Sequence, residues 1–187
     1  MSRIYSFVGG PQGLWHIDSI TAVTGDALPL AEFLDVVNTN VATPPAGSSW
    51  CLRGVTSYDR YLLGSEKAAL AQVQPPIGRP EATLAAFIPI KKSSEWFQLP
   101  HDARREILEE RSAHIAKGLK HLPAVARRLH HSHDLGEPFD FLTWFEYAPA
   151  HSGAFEELVA ELRRTEEWAY VEREVDVRLT RATALSN

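Results

Sequence analysis

Cysteine is almost absent: Cys51 is the only one in 187 residues. A disulfide scaffold, a cysteine-rich zinc site and a thiolate-held iron–sulfur cluster are therefore excluded within one chain. The lone thiol suits a reducing compartment. No apolar run reaches the about 18 residues that cross a bilayer as a helix. The opening MSRIYSFVGGPQGLW has no apolar stretch ahead of a small-residue cleavage site, so it does not read as a secretory signal. The expectation is a cytoplasmic protein with no membrane partner. A long basic run is missing too. The 19 Lys and Arg are interspersed among 24 Asp and Glu for a net charge of −5, which argues against nucleic acid as a partner. What is present suffices for a core: 44% of residues are apolar. A chain this long buries roughly 70% of its unfolded surface, so it needs no disulfide or structural metal to fold.

The chain reads as two halves, 1–80 and 81–187. In the first, Arg3–Val8 predicts a strand closed by Gly9, Gly10 and Pro11, and Leu28–Val37 has the spacing of a helix (Leu30, Phe33, Leu34, Val37). Residues 38–49 read as a loop, Ser49–Ser57 as a strand, Ser65–Val73 as a helix and Ala82–Ile90 as an apolar strand. In the second half, Asp102–Lys120 predicts one helix, Val125–His131 and Phe139–Tyr147 two strands, and Phe155–Trp168 a second amphipathic helix. Val171–Leu179 alternates apolar and charged residues, as a half-buried strand does. The fold class is α+β. The second half is a ferredoxin-like β-α-β-β-α-β unit and the first a degenerate copy of it, inferred without any repeat in the sequence.

Most of the eight histidines read as surface or half-exposed residues. His130, His131 and His133 alternate faces of an extended segment and would not converge on one ion. His101, His121 and His151 border helix ends or loops. His114 differs, because it runs along the inward stripe of Ile107, Leu108 and Ile115, with Gly118 leaving room one turn on. It is either a hydrogen-bonded core residue or a ligand. Arg127 shares a strand face with Val125 and Leu129, so a guanidinium that cannot shed its proton points at apolar surroundings. It needs either an internal carboxylate, with Glu146 and Glu174 as candidates, or an anionic ligand. Phe141, Thr143, Phe145 and Tyr147 form an apolar wall with one hydroxyl. Glu166 and Glu167 close the last helix, where the macrodipole disfavours carboxylates, so one of them is a candidate acceptor for a ligating histidine.

Between Lys91 and Arg181, the pieces KKSSEWFQLP, AHIAKGL, VARRLHHSHDLG, FDFLTWFEY and LRRTEEWAYVEREVD stand in the order and spacing of the chlorite dismutase family, which this half of the chain resembles. RGVTSYDRYL and the 82–90 strand match more loosely. The resemblance implies a dimeric α+β barrel fold with haem b in the C-terminal half, and a chain this short resembles the homodimeric lineage. It implies His114 as the proximal iron ligand, and Glu167 as that ligand's hydrogen-bond acceptor, with Glu166 as the alternative. Arg127 takes the place of the distal arginine of chlorite-decomposing members. Thr143, Phe145 and Leu129 fall on the distal wall, Lys92 and Trp96 at the haem propionates and edge, and Gln74 at a polar distal position.

The implied reaction converts chlorite to chloride and dioxygen through a ferryl species, with O–O bond formation. The related coproheme decarboxylases carry tyrosine after the motif's tryptophan and commonly glutamine at the distal site, where this chain has Phe97 and Arg127. Three alternatives stay open: coproheme decarboxylase, a haem-free monooxygenase of the same fold, and a haem-binding sensor or peroxidase-like protein.

Overall fold

The structure is a computed structural model that describes residues 4–56 and 73–182. Its described strands are β1 (Ile4–Gly10), β2 (Trp15–Thr24), β3 (Phe33–Val37), β4 (Trp50–Thr56), β5 (Leu84–Lys92), β6 (Val125–His131), β7 (Phe141–Tyr147) and β8 (Val171–Arg181). All pair antiparallel and close into a barrel in the order β1-β3-β2-β8-β5-β7-β6-β4. Each half contributes four consecutive strands to that circle. Closure leaves no free sheet edge. The helices cluster in the second half: α1 (Ser94–Gln98), α2 (His101–Arg105), a π segment (Glu106–Arg111), α3 (His114–Lys120) and α4 (Ser152–Leu162). None is long and apolar enough to cross a membrane.

The period-two strands sort their side chains into two cores. Phe7, Trp15, Trp50, Phe87, Leu142, Trp144, Val175 and Val177 fill the barrel. Gly9 is required here, since a Cβ at that position would lie 2.1 Å from the Trp50 ring. On the outer face of the second half, Ala86, Ile88, Val125, Phe145 and Tyr147 pack against Phe155, Leu158, Val159 and Leu162 of α4. The site lies on this second, sheet-on-helix side.

Several sequence expectations are corrected. Leu28–Val37 is not a helix: Leu30 is exposed, and Phe33–Val37 pairs with β1 from Gly10↔Phe33 to Ser6↔Val37. Pairing of the β-branched Val36 and Val37 with a distant strand overrides a local spacing that only imitates a helix. Strand β2 was passed over because register shifts at Ile17/Ser19 and Ala22/Thr24 blur its alternation. The predicted helix Ser65–Val73 lies, except for its last residue, outside the described residues.

Asp102–Lys120 is interrupted. Ala113 adopts a left-handed φ of 51°, and a new helix starts at His114. The Glu109 carboxylate accepts the N–H groups of Ile115 (2.7 Å) and Ala116 (3.3 Å), which the break leaves without helical partners. The last helix stops at Leu162, and Glu166–Tyr170 forms a separate 3-10 turn. Glu166 and Glu167 therefore open a turn rather than close a helix, and the macrodipole argument does not apply to them. The charged face of β8 is not solvated: buried Glu174 and Asp176 accept from Arg163 at 2.8 and 2.9 Å.

His130 is a further correction. It points into the barrel, 1% exposed, with its ring edge-on to Tyr5 and Phe7. Burial, followed by the nearby Arg128 and His131, pushes its pKa down to about 3. The folded state thus holds this ring neutral where the unfolded chain would protonate it. Stability should fall as pH drops from the ordinary histidine value near 6.5 toward about 3. His130→Phe should flatten that part of the acid limb in urea unfolding measured across this range. An unchanged pH profile would contradict the assignment.

Candidate functional site

His114 is the first residue of α3, where the Ala113 break turns it inward with its side chain 12% exposed. Its Nδ1 lies 2.7 Å from Glu167 Oε2. Glu167 is 5% exposed, and its backbone N–H donates to Ser112 Oγ at 3.2 Å, which ties the 3-10 turn to the break before α3. The second carboxylate oxygen accepts from Lys92 Nζ at 2.7 Å, and the Glu167 carbonyl accepts from the same ammonium at 3.3 Å. Burial alone would raise the Glu167 carboxyl. His114 and Lys92 outweigh it and hold the group well below the usual carboxylate range. Lys92 is itself pushed down by burial, against the pull of Glu167. A full carboxylate at Oε2 fixes Nδ1 as the protonated ring nitrogen, so His114 Nε2 keeps its lone pair. That nitrogen is the atom able to bind a metal.

Glu166, one residue earlier, is exposed and pairs with Arg111 at 2.8 Å. Of the two candidate acceptors, only Glu167 faces the histidine.

Across from α3, β6 and β7 present Arg127, Leu129, Thr143 and Phe145 on one face, with Arg127 beside Phe145 and Leu129 beside Thr143 in register. Arg127 Nη1 is the one atom within 4 Å of where a Cβ on Gly118 would sit, so a side chain-free point of α3 faces the guanidinium. Both carboxylates considered for it are engaged elsewhere. Glu146 accepts from Trp144 Nε1 and the Gly78 N–H, and Glu174 from Arg163 and Trp168 Nε1. Among the described residues no carboxylate pairs with Arg127. Burial lowers its pKa, and Glu167 partly offsets this through space, which places both groups around one region. Arg128 points the other way, toward the Tyr5 hydroxyl at 3.2 Å.

Trp96 is 2% exposed and lies under Lys92, with Nζ 4.0 Å from the ring centroid. Its Nε1 is buried with no hydrogen-bond acceptor among the described residues. Phe97 stacks on His133 with ring centroids 3.9 Å apart, and His133 Nδ1 contacts Asp140 at 2.6 Å. Asp140 in turn accepts the Lys92 N–H at 2.7 Å. Gln74 donates to the Arg127 carbonyl at 2.5 Å from an exposed position, so it braces the strand rather than entering this region.

The geometry thus unites His114, Glu167, Lys92, Trp96 and Arg127. The Lys92–Glu167 contact was not foreseen. Its only signal in the sequence was a lysine alternating inward at the end of an apolar strand.

Comparisons with known proteins agree with this arrangement. The family model described as chlorite dismutase matches residues 25–183. A chlorite dismutase of Ideonella dechloratans is 36% identical over 86 residues, 46% of this chain but only 28% of that protein's length. A dimeric chlorite dismutase from Nitrobacter winogradskyi superposes with a TM-score of 0.89 at 54% identity, covering 95% of this chain and 99% of that one. A chlorite dismutase from Candidatus Nitrospira defluvii, at 21% identity, shares the fold with a TM-score of 0.70 over 97% and 92% of the two chains. By the extent of the family match and the near-complete overlap with the Nitrobacter protein, the chain belongs to the chlorite dismutase family.

Proposed function

We propose that this protein binds haem b between α3 and the β6–β7 face of the C-terminal half, and decomposes chlorite to chloride and dioxygen. The observation that carries the reading is a histidine with one ring nitrogen committed to a buried carboxylate, opposite a buried arginine that no carboxylate neutralises. The residues fit the cofactor. His114 Nε2 is a free axial donor, Gly118 leaves space on α3, and the orphaned Trp96 Nε1 awaits an acceptor such as a propionate carboxylate.

A bound haem would supply the redox-active iron at which chlorite gives up oxygen. The remaining work falls to the chain. Glu167 fixes the His114 tautomer and makes the ring a stronger donor, which favours ferric iron. Lys92 holds Glu167 ionised and in place. Arg127 attracts the anion with a charge that cannot be lost, and its planar fork holds small oxyanions near the reacting centre. Leu129, Thr143 and Phe145 keep that region apolar, so the contact is weakly screened.

Phe97, where a decarboxylase would use tyrosine, and Arg127 both weigh against coproheme decarboxylation. The strand orders β8-β5-β7-β6 and β4-β1-β3-β2 are equivalent by position. They support reading the halves 1–80 and 81–187 as two ferredoxin-like units, of which only the second keeps its helices among the described residues. The dimeric Nitrobacter relative supports a homodimer. Chlorite added to haem-loaded protein in an oxygen-electrode cell should release dioxygen. Haem binding without oxygen release would instead indicate a carrier or sensor.

Glu167→Gln should keep haem bound yet raise the Fe(III)/Fe(II) potential, because a neutral acceptor leaves His114 less electron-donating. Partners of this kind are usually worth roughly 10- to 100-fold in affinity or activity. Spectroelectrochemical titration checks it. A shift in Glu166→Gln with none in Glu167→Gln would contradict the assignment. The depressed Glu167 carboxyl contributes stability above the ordinary glutamate range and loses it only as pH falls well below that range. The contact should therefore survive mild acid.

A further inference from the structure

At the far end of α3 from His114, a second group of ligand-type side chains converges, unconnected with the site above. His121 follows the last residue of α3 and is 5% exposed, yet its Nε2 is buried with no hydrogen-bond partner among the described residues. It points at Glu161 Oε2, 3.6 Å away, which is too long for a hydrogen bond. Glu157 and Glu161 stand one turn apart on α4 and so share a face. One ligand atom from each of His121, Glu157 and Glu161 falls within 4.8 Å of the others. Lys120 already places a cation there, with Nζ 2.9 Å from Glu157 Oε1 and 2.8 Å from Glu161 Oε1.

We propose that His121, Glu157 and Glu161 form a binding site for a divalent transition-metal ion of the zinc type, bridging α3 to α4. One imidazole nitrogen and two carboxylates are a ligand set that Zn²⁺ accepts, with water completing the coordination. Zinc ligands at about 2.0–2.1 Å sit roughly 3.4 Å apart in a tetrahedron. The present spacing therefore closes with small rotations of two partly exposed glutamates. A buried imidazole lone pair or N–H with no partner is costly, and a metal ion would satisfy it. Lys120 is the built-in competitor. Its ammonium neutralises the same carboxylates, and its half-exposed side chain can swing into water when a dication arrives.

The test uses full-length, tag-free, haem-loaded protein, with Zn²⁺ uptake measured by equilibrium dialysis and metal analysis while the Soret band is monitored. The expected result is one bound equivalent with an unchanged Soret band. An outer-shell partner alone is worth roughly 10- to 100-fold in metal affinity, so losing a ligand in Glu161→Gln or His121→Gln should weaken uptake at least about tenfold. Glu161→Gln alters a surface side chain and keeps the test valid should the buried His121→Gln fail to fold. Lys120→Gln should tighten uptake about fivefold, because it removes a like charge a few ångströms from the ion. No uptake by the parent protein, or uptake that Glu161→Gln leaves unchanged, would overturn the site.

Discussion

His114→Ala should lose haem almost completely on gel filtration, with retention at least about tenfold below the parent. The reason lies in the geometry. His114 Nε2 is the one donor that the arrangement leaves free to bind iron, since Nδ1 is committed to Glu167 at 2.7 Å. Removing the ring leaves Glu167 paired with Lys92 and the Glu109 cap on α3 in place, so the fold should persist. The haem-to-protein absorbance ratio reads the result, and circular dichroism checks that the barrel is intact. Full haem retention with an unchanged spectrum would remove His114 from the site.

Arg127→Ala should act on the other side. The spectrum of the resting protein should stay close to the parent's, since the His114–Glu167–Lys92 cluster is untouched. What goes is a charge-assisted contact to an anion, worth roughly 1.5–3 kcal/mol. That corresponds to about a ten- to hundredfold weaker hold on chlorite or on a probe such as cyanide. Hypochlorite should also escape more readily, so a hypochlorite trap should intercept more of it and inactivation per turnover should rise. Arg127→Lys restores the charge without the planar fork and should fall between. Arg128 supplies the control, because its side chain lies on the opposite strand face against Tyr5. Weaker anion binding in Arg128→Ala, with none in Arg127→Ala, would reverse the assignment.

How far these residues could be read from the sequence depended on how local their signals are. The face shared by Val125, Arg127 and Leu129 follows from the two-residue period of a strand, and the structure places them so. Arg127 itself was conspicuous because a permanent cation on an apolar face is costly. His114 was noticed for its inward stripe, but the break that aims it was not. The left-handed Ala113 is stabilised by a Glu109 side chain reaching forward to Ile115 and Ala116, a contact no periodicity reports. The choice between Glu166 and Glu167 likewise rests on a 3-10 turn that resembles the end of a helix in sequence. Lys92 was set at the propionates. Its ammonium is instead held by Glu167, a partner 75 residues away that only the closed barrel brings near. In the first half the strands β2 and β3 were obscured by bulges and by a spacing that suits a helix, and only pairing with distant strands decides them.

The most direct measurement is the isotopic composition of the dioxygen released when haem-loaded protein meets doubly ¹⁸O-labelled chlorite in unlabelled water. If Arg127 retains the departing fragment until the O–O bond forms, both oxygen atoms come from one chlorite. The gas should then be doubly labelled, with one chloride and one dioxygen per chlorite consumed. Singly labelled or unlabelled dioxygen, or chlorite consumption that yields hypochlorite without gas, would contradict the account.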